Sequence, residues 1–204
     1  MWTDIPHKGT PATTALIYSG ESRAYWLGMS EDQLKGRRMQ VGFVGVGAMG
    51  AAMAGHVAAK GHQVLAFDTD RDALAAAAQG GVQSANDLAE ISGACEVIIL
   101  MVASDDQSRS VVEALLGHGM MSGSVIVVAA TNHPKTMIAL SKICAEAGIG
   151  FVDAPVCFGL QGAKHGNLIS LCGGTDEGID KVRPVLDCYS RSVEHLGGPG
   201  CGQL

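Results

Sequence analysis

From Gln40 onward, short apolar runs rich in β-branched residues alternate with alanine-rich stretches of helical length. That rhythm predicts βαβ units and a parallel sheet, because each strand is followed by a helix that carries the chain back to start the next one. Strands are expected at 40–45, 63–68, 96–102, 124–128 and 150–153, and helices at about 48–60, 70–79, 105–116 and 134–147. Five such strands make a doubly wound, mostly parallel α/β sheet. Beyond them, 167–173 and 192–196 read as two further strands around a helix at 176–188, with their direction open.

The two ends differ from this pattern. Residues 1–38 hold both tryptophans (Trp2, Trp26) and two of the three tyrosines (Tyr18, Tyr25), without sustained periodicity, and read as a flexible extension. Asp4 and Glu21 speak against a transit peptide. The domain proper is expected to span 39–196. The glycine-rich 197–204 looks like the start of a linker, with the chain ending there.

Composition narrows the chemistry. A chain of 204 residues, 47% apolar, is one globular domain with an appendage. Net charge is −6 and the Lys and Arg residues are scattered, so no electrostatic footprint for nucleic acid or anionic lipid is visible. A small-molecule partner is expected. No stretch approaches the roughly 20 apolar residues of a membrane helix, and the first residues lack a secretory signal, which points to the cytoplasm. Six cysteines (Cys95, Cys144, Cys157, Cys172, Cys188, Cys201) have neither metal-site nor disulfide-framework spacing, so no metal is expected and buried thiols are.

The segment Gly45-Val46-Gly47-Ala48-Met49-Gly50 fits G-x-G-x-x-G between a predicted strand and a predicted helix. The first glycine permits a tight turn, the second a close approach of backbone to a pyrophosphate, and the third close packing of helix on strand. Helix-start N–H groups and the helix dipole then favour phosphate charge. Asp68 ends the second predicted strand, 18 residues past Gly50, where a carboxylate accepts hydrogen bonds from adenosine ribose hydroxyls. It would repel a 2′-phosphate, so NAD is preferred over NADP, although Arg71 opposes that preference by offering a phosphate partner. The pattern predicts a Rossmann-type domain.

These residues, with Asp153-Ala-Pro-Val-Cys157-Phe158-Gly159, Gly162-Ala163 and Gly166-Asn167-Leu168, resemble the β-hydroxyacid dehydrogenase family, the group of 3-hydroxyisobutyrate dehydrogenase, tartronate semialdehyde reductase and the coenzyme domain of 6-phosphogluconate dehydrogenase. The resemblance covers about 39–204 and implies an NAD(P)-dependent oxidoreductase that converts a small hydroxy acid to a semialdehyde or oxo acid. It implies cofactor contacts at Met101, Val102 and Ala103, where the family's proline is missing, and at Thr131, before a helix opened by Pro134. Cys157, Phe158 and Gly159 stand where the family has Ser-Gly-Gly holding the substrate carboxylate; a thiol and a phenyl ring alter that pocket.

The resemblance also implies that the family's proton-donating lysine and its all-helical second domain lie past Leu204, so no catalytic residue is identified among 1–204. Lys164 and the histidines, His165 among them, read as surface or turn residues. Two alternatives to a working enzyme follow: a non-catalytic dinucleotide-binding module or truncated relic, and a chain whose site is completed by a helical domain or another protomer.

Overall fold

A computed structural model describes residues 37–204, of which Arg38–Leu204 form one unit. The expected extension 1–38 lies almost wholly outside the described residues. Five parallel strands appear where the apolar runs predict them: β1 (Gln40–Val44), β2 (Gln63–Phe67), β4 (Val97–Leu100), β5 (Val125–Val128) and β6 (Gly150–Asp153). The expected ends of β1, β2 and β4 run one or two residues long, because the last residues of those runs have already left the ladder for the turn, while those of β5 and β6 coincide with the observed ones.

A sixth parallel strand, β3 (Gln83–Ser84), completes the order β3-β2-β1-β4-β5-β6. Chain order reverses between β1 and β4, and a crevice at the carboxyl ends of such a pair is where ligands bind in open α/β sheets. The helices α1 (Ala48–Ala59), α2 (Arg71–Ala78), α3 (Leu88–Ala94), α4 (Asp105–Gly117) and α5 (Pro134–Glu146) cover the sheet. Alternate strand residues face opposite layers: Phe43, Ile99 and Val127 join Met53 and Val57 of α1, while Val44, Ile98 and Ile126 join Leu115 of α4 and Leu140 of α5. Both faces being covered, the strands read as continuous apolar runs rather than alternating ones.

After β6 the architecture changes. A short β7 (Val156–Cys157), α6 (Gly159–Lys164), β8 (Leu168–Gly174), α7 (Asp176–Leu186) and β9 (Ser190–Gly197) extend the sheet. β8 runs antiparallel to both β6 and β7, and β9 parallel to β8. The direction left open by the sequence follows from connection length. Residues 158–167 are too few for the crossover of about a dozen or more that a parallel neighbour needs, whereas 175–189 hold a full helix.

The segment 197–204, expected to begin a linker, is packed into this unit. A 3₁₀ turn (Cys201–Gln203) follows Gly200, whose N–H donates to the Asp153 carboxylate at 2.6 Å. The Gln203 side chain accepts from Asn132 N at 2.9 Å and donates to Ala130 O at 3.0 Å. Among the described residues no helix is long and apolar enough to cross a membrane.

Candidate functional site

The strand register sets the site. Phe67, Val44, Leu100, Val128 and Asp153 are successive partners across β2, β1, β4, β5 and β6. Asp68, Gly45, Met101, Ala129 and Ala154 therefore stand at one level, where each strand leaves the sheet. Most of the residues singled out in the sequence lie on this carboxyl edge, in the loops that leave it. The hydrogen bonds from Gly45 N to Phe67 O (3.0 Å) and from Met101 N to Val44 O (2.8 Å) keep the ladder closed up to that edge.

The three glycines of the first loop are there for different reasons. Gly45 has φ +89°, and a Cβ on it would lie 2.5 Å from Met101 O across the switch point. A Cβ on Gly50 would lie 2.1 Å from Gly45 O, so the helix can start against the strand only without one. Gly47 caps α1 with ordinary dihedrals, and a Cβ there would meet nothing within 4 Å. The protein's own packing thus requires Gly45 and Gly50 but not Gly47, whose missing side chain leaves open space at the start of a 12-residue helix that has no acidic residue in its first turn and no side-chain cap. Such a cradle suits a pyrophosphate, held by N–H groups and the helix dipole.

Asp68 is held rigidly beside it. Oδ2 accepts from Val46 N at 2.7 Å and Oδ1 from Asp70 N at 2.9 Å. The start of α2 is capped by Asp70, which accepts from Asp72 N, so Asp68 is not taken up by capping. A carboxylate offers about four lone-pair sites, so roughly two remain for hydroxyl donors. Asp68, Thr69, Arg71, Ser84 and Asn86 line an open cleft of about 590 Å³ at the ends of β2 and β3.

On the far side of the switch point, Met101 and Val102 are half-buried and Ala103 is exposed, with its N–H bound by the Gln107 side chain at 2.8 Å. Thr131 is exposed; its neighbour Asn132 is 7% exposed and donates through Nδ2 to Ala130 O at 3.1 Å. Asp105 bonds the Thr136 side chain and accepts from His133 N, and these contacts, with the nearby His133 and Arg109 charges, hold its carboxyl below the usual range. This pairs the starts of α4 and α5 on either side of Thr131. Asp153 is fully buried, and that burial pushes its carboxyl up, against the pull of the Gly200, Gly202 and Gln203 N–H groups.

In the second loop Cys157 is exposed, and Phe158 adopts the left-handed conformation at φ +83°, the sole non-glycine residue to do so among those described. A Cβ on Gly162 would lie 2.7 Å from Phe158 Cβ, so that glycine makes room for the turn. Lys164 and His165 are exposed. His165 Nδ1 donates to Gln161 O, and His56 Nε2 on α1 donates to Lys164 O at 3.2 Å, tying the first loop's helix to the second loop's. No cluster of three metal-ligating side chains occurs among the described residues.

Sequence reasoning passed over Gln203 and Asn132, which pin the loop after β5, and Arg191, whose guanidinium lies 4.4 Å from the Phe158 ring centroid. The glycine-rich composition of 197–204 was legible; the loop that Gln203 reaches, over 70 residues upstream, was not.

Comparison with known proteins gives a consistent picture. Residues 40–197 match a family model described as the NAD binding domain of 6-phosphogluconate dehydrogenase. The chain is 31% identical over 172 residues to 2-(hydroxymethyl)glutarate dehydrogenase of Eubacterium barkeri, covering 81% of this chain and 56% of the relative. It is 30% identical to 3-hydroxyisobutyrate dehydrogenase of Pseudomonas aeruginosa, covering 80% and 56%. A structure of Mycobacterium tuberculosis 3-hydroxyisobutyrate dehydrogenase with L-serine superposes with a TM-score of 0.80 at 26% identity, covering 82% of this chain and 57% of that one. The chain thus spans rather more than half the length of the relatives it matches.

Proposed function

The chain belongs to the β-hydroxyacid dehydrogenase family, and from that premise we propose that it is the dinucleotide-binding part of an oxidoreductase acting on a small hydroxy acid. The observation that carries the cofactor reading is Gly47: own-chain packing does not call for a glycine there, and a pyrophosphate does.

Gly45 to Gly50 would hold the pyrophosphate on the start of α1, with Val46, Ala48 and Met49 completing the loop. Asp68 would accept from the ribose hydroxyls with its remaining lone pairs. Its fixed negative charge in the cleft supports NAD over NADP; Arg71 in the same cleft tempers the preference without reversing it. Met101, Val102, Ala103 and Thr131 would flank the nicotinamide, and the loop Cys157, Phe158, Gly159 would hold the substrate. When bound, the nicotinamide supplies hydride chemistry; the residues of this chain orient the two partners and exclude water between them.

A second reading is favoured by one observation. Among the described residues no lysine, histidine or carboxylic acid side chain is hydrogen-bonded into the loop 157–159. The chain would then bind the dinucleotide without turnover, or gain its proton donor from a helical domain or another protomer. The free state of all six cysteines fits a reducing compartment, and we place its action in the cytoplasm.

Titration with NADH and NADPH by fluorescence, followed by a panel of short 3-hydroxy acids on the same preparation, tests these readings. Saturable NADH binding with turnover is the result expected of an enzyme; binding without turnover selects the second reading, and absence of binding sinks both.

A further inference from the structure

The second loop carries a device that the first lacks. In β9, Ser190 pairs with Leu168 and Ser192 with Ile169, so Arg191 is an extra residue with no partner across the ladder. A bulge of this kind bends the strand and re-aims a side chain. Here the re-aimed guanidinium lies over the ring of Phe158, 33 residues earlier in the chain. Phe158 is itself held at φ +83° and is 56% exposed, so its ring is not placed there by core packing. Its ring also lines a depression of about 250 Å³ with Gln161, Gly162, His165 and Asn167.

Both features depart from regular backbone, and they converge on one contact at the expected substrate loop. Left-handed non-glycine residues and bulges both gather next to functional sites. Arg191 is exposed and forms no ion pair among the described residues; the nearest acid on its strand, Glu194, is engaged by Ser192 Oγ. A guanidinium over a ring gives no hydrogen bond to it, so its N–H donors are left for a ligand, and their fork matches a carboxylate.

We propose that Arg191, carried by the β9 bulge onto Phe158, is a specificity-determining residue that selects acids bearing a second anionic group at the loop 157–159. The inference rests on the reading of that loop as the substrate site. The first carboxylate lies at the loop backbone, where Phe158 narrows the space, and the second reaches the guanidinium at its rim.

The exposed thiol of Cys157 reports on occupancy of the loop. The full chain, saturated with NADH, is labelled with a thiol reagent at constant ionic strength, and modification of Cys157 is followed by peptide mass. Succinate and butyrate serve as probes of equal length, one with two carboxylates and one with one. Succinate is expected to protect Cys157 at about one-tenth the concentration that butyrate requires, the size of one charge-assisted contact. In Arg191→Gln the two acids become equivalent while NADH affinity is unchanged. Equal protection in the native chain, or a succinate advantage that survives Arg191→Gln, overturns the proposal. Protection by neither acid despite NADH binding removes the substrate reading of the loop, and the proposal with it.

Discussion

The loops that follow β1 and β7 solve the same geometric problem in opposite ways. Each leaves its strand through a left-handed residue, Gly45 at φ +89° and Phe158 at φ +83°, and each has a glycine a turn later, Gly50 and Gly162, that clears the space. At Gly45 the direction a side chain would take is filled by Met101 O, so no other residue fits. At Phe158 that direction opens to solvent, so a bulky side chain is tolerated at a conformational cost of about 1–2 kcal/mol. The contact with Arg191 offsets about 0.5–1 kcal/mol of it, as expected of an exposed cation–π pair. The difference teaches that the first loop is dictated by backbone approaching backbone, which suits a cofactor held by N–H groups. The second is free to vary its side chains, which suits a loop that sets substrate choice.

The comparison can be broken most sharply at Gly50. Its Cβ would sit 2.1 Å from Gly45 O, so Gly50→Ala should cost about 3 kcal/mol or more in urea denaturation, and a near-neutral result would mean that the loop and α1 are not packed as described. Gly47→Val is the complementary case. With open space around the new side chain, stability should stay within about 1 kcal/mol of native while NADH affinity falls by about a hundredfold or more. Retained affinity would remove the cofactor assignment.

A smaller effect separates the second loop from the first. Phe158→Gly and Phe158→Ala both lose the ring, but only glycine relieves the left-handed backbone. The glycine variant should be the more stable of the two by about 1 kcal/mol, and equality would show that the position is not strained.

The smallest expected effect concerns Asp153, the buried carboxylate beneath that loop. Because burial raises its folded-state pKa above the ordinary 3.8, the folded protein binds the proton more tightly than the unfolded chain. Its contribution to stability is therefore full at acid pH and is lost as pH rises from about 3.8 through the folded value. Asp153→Asn should flatten that part of the pH profile. An unchanged slope between acid and neutral denaturation curves would assign the pH dependence to other groups.

How much of this was legible in the sequence divides along the same line as the loops. The strands ending at Val44, Phe67, Leu100, Val128 and Asp153 announce themselves because a strand buried on both faces needs an unbroken apolar run, and the glycine fingerprint because its spacing is local. The elements missed are those too short to show a period: β3 and β7, two residues each, and α6, six. α3, at seven residues, was equally silent, although Asp87 caps it.

By itself, then, the sequence determined the doubly wound core, the glycine loop after its first strand and the acidic residue beside it, all of them written in periodicities and spacings shorter than one βαβ unit. Only the tertiary structure decided which of the three loop glycines the chain's own packing requires, that 197–204 closes back onto Asp153 and Asn132, and that Arg191 meets Phe158. Those outcomes depend on which atoms occupy the space beside a residue, and that space is filled by chain far away in sequence, where no local pattern reaches.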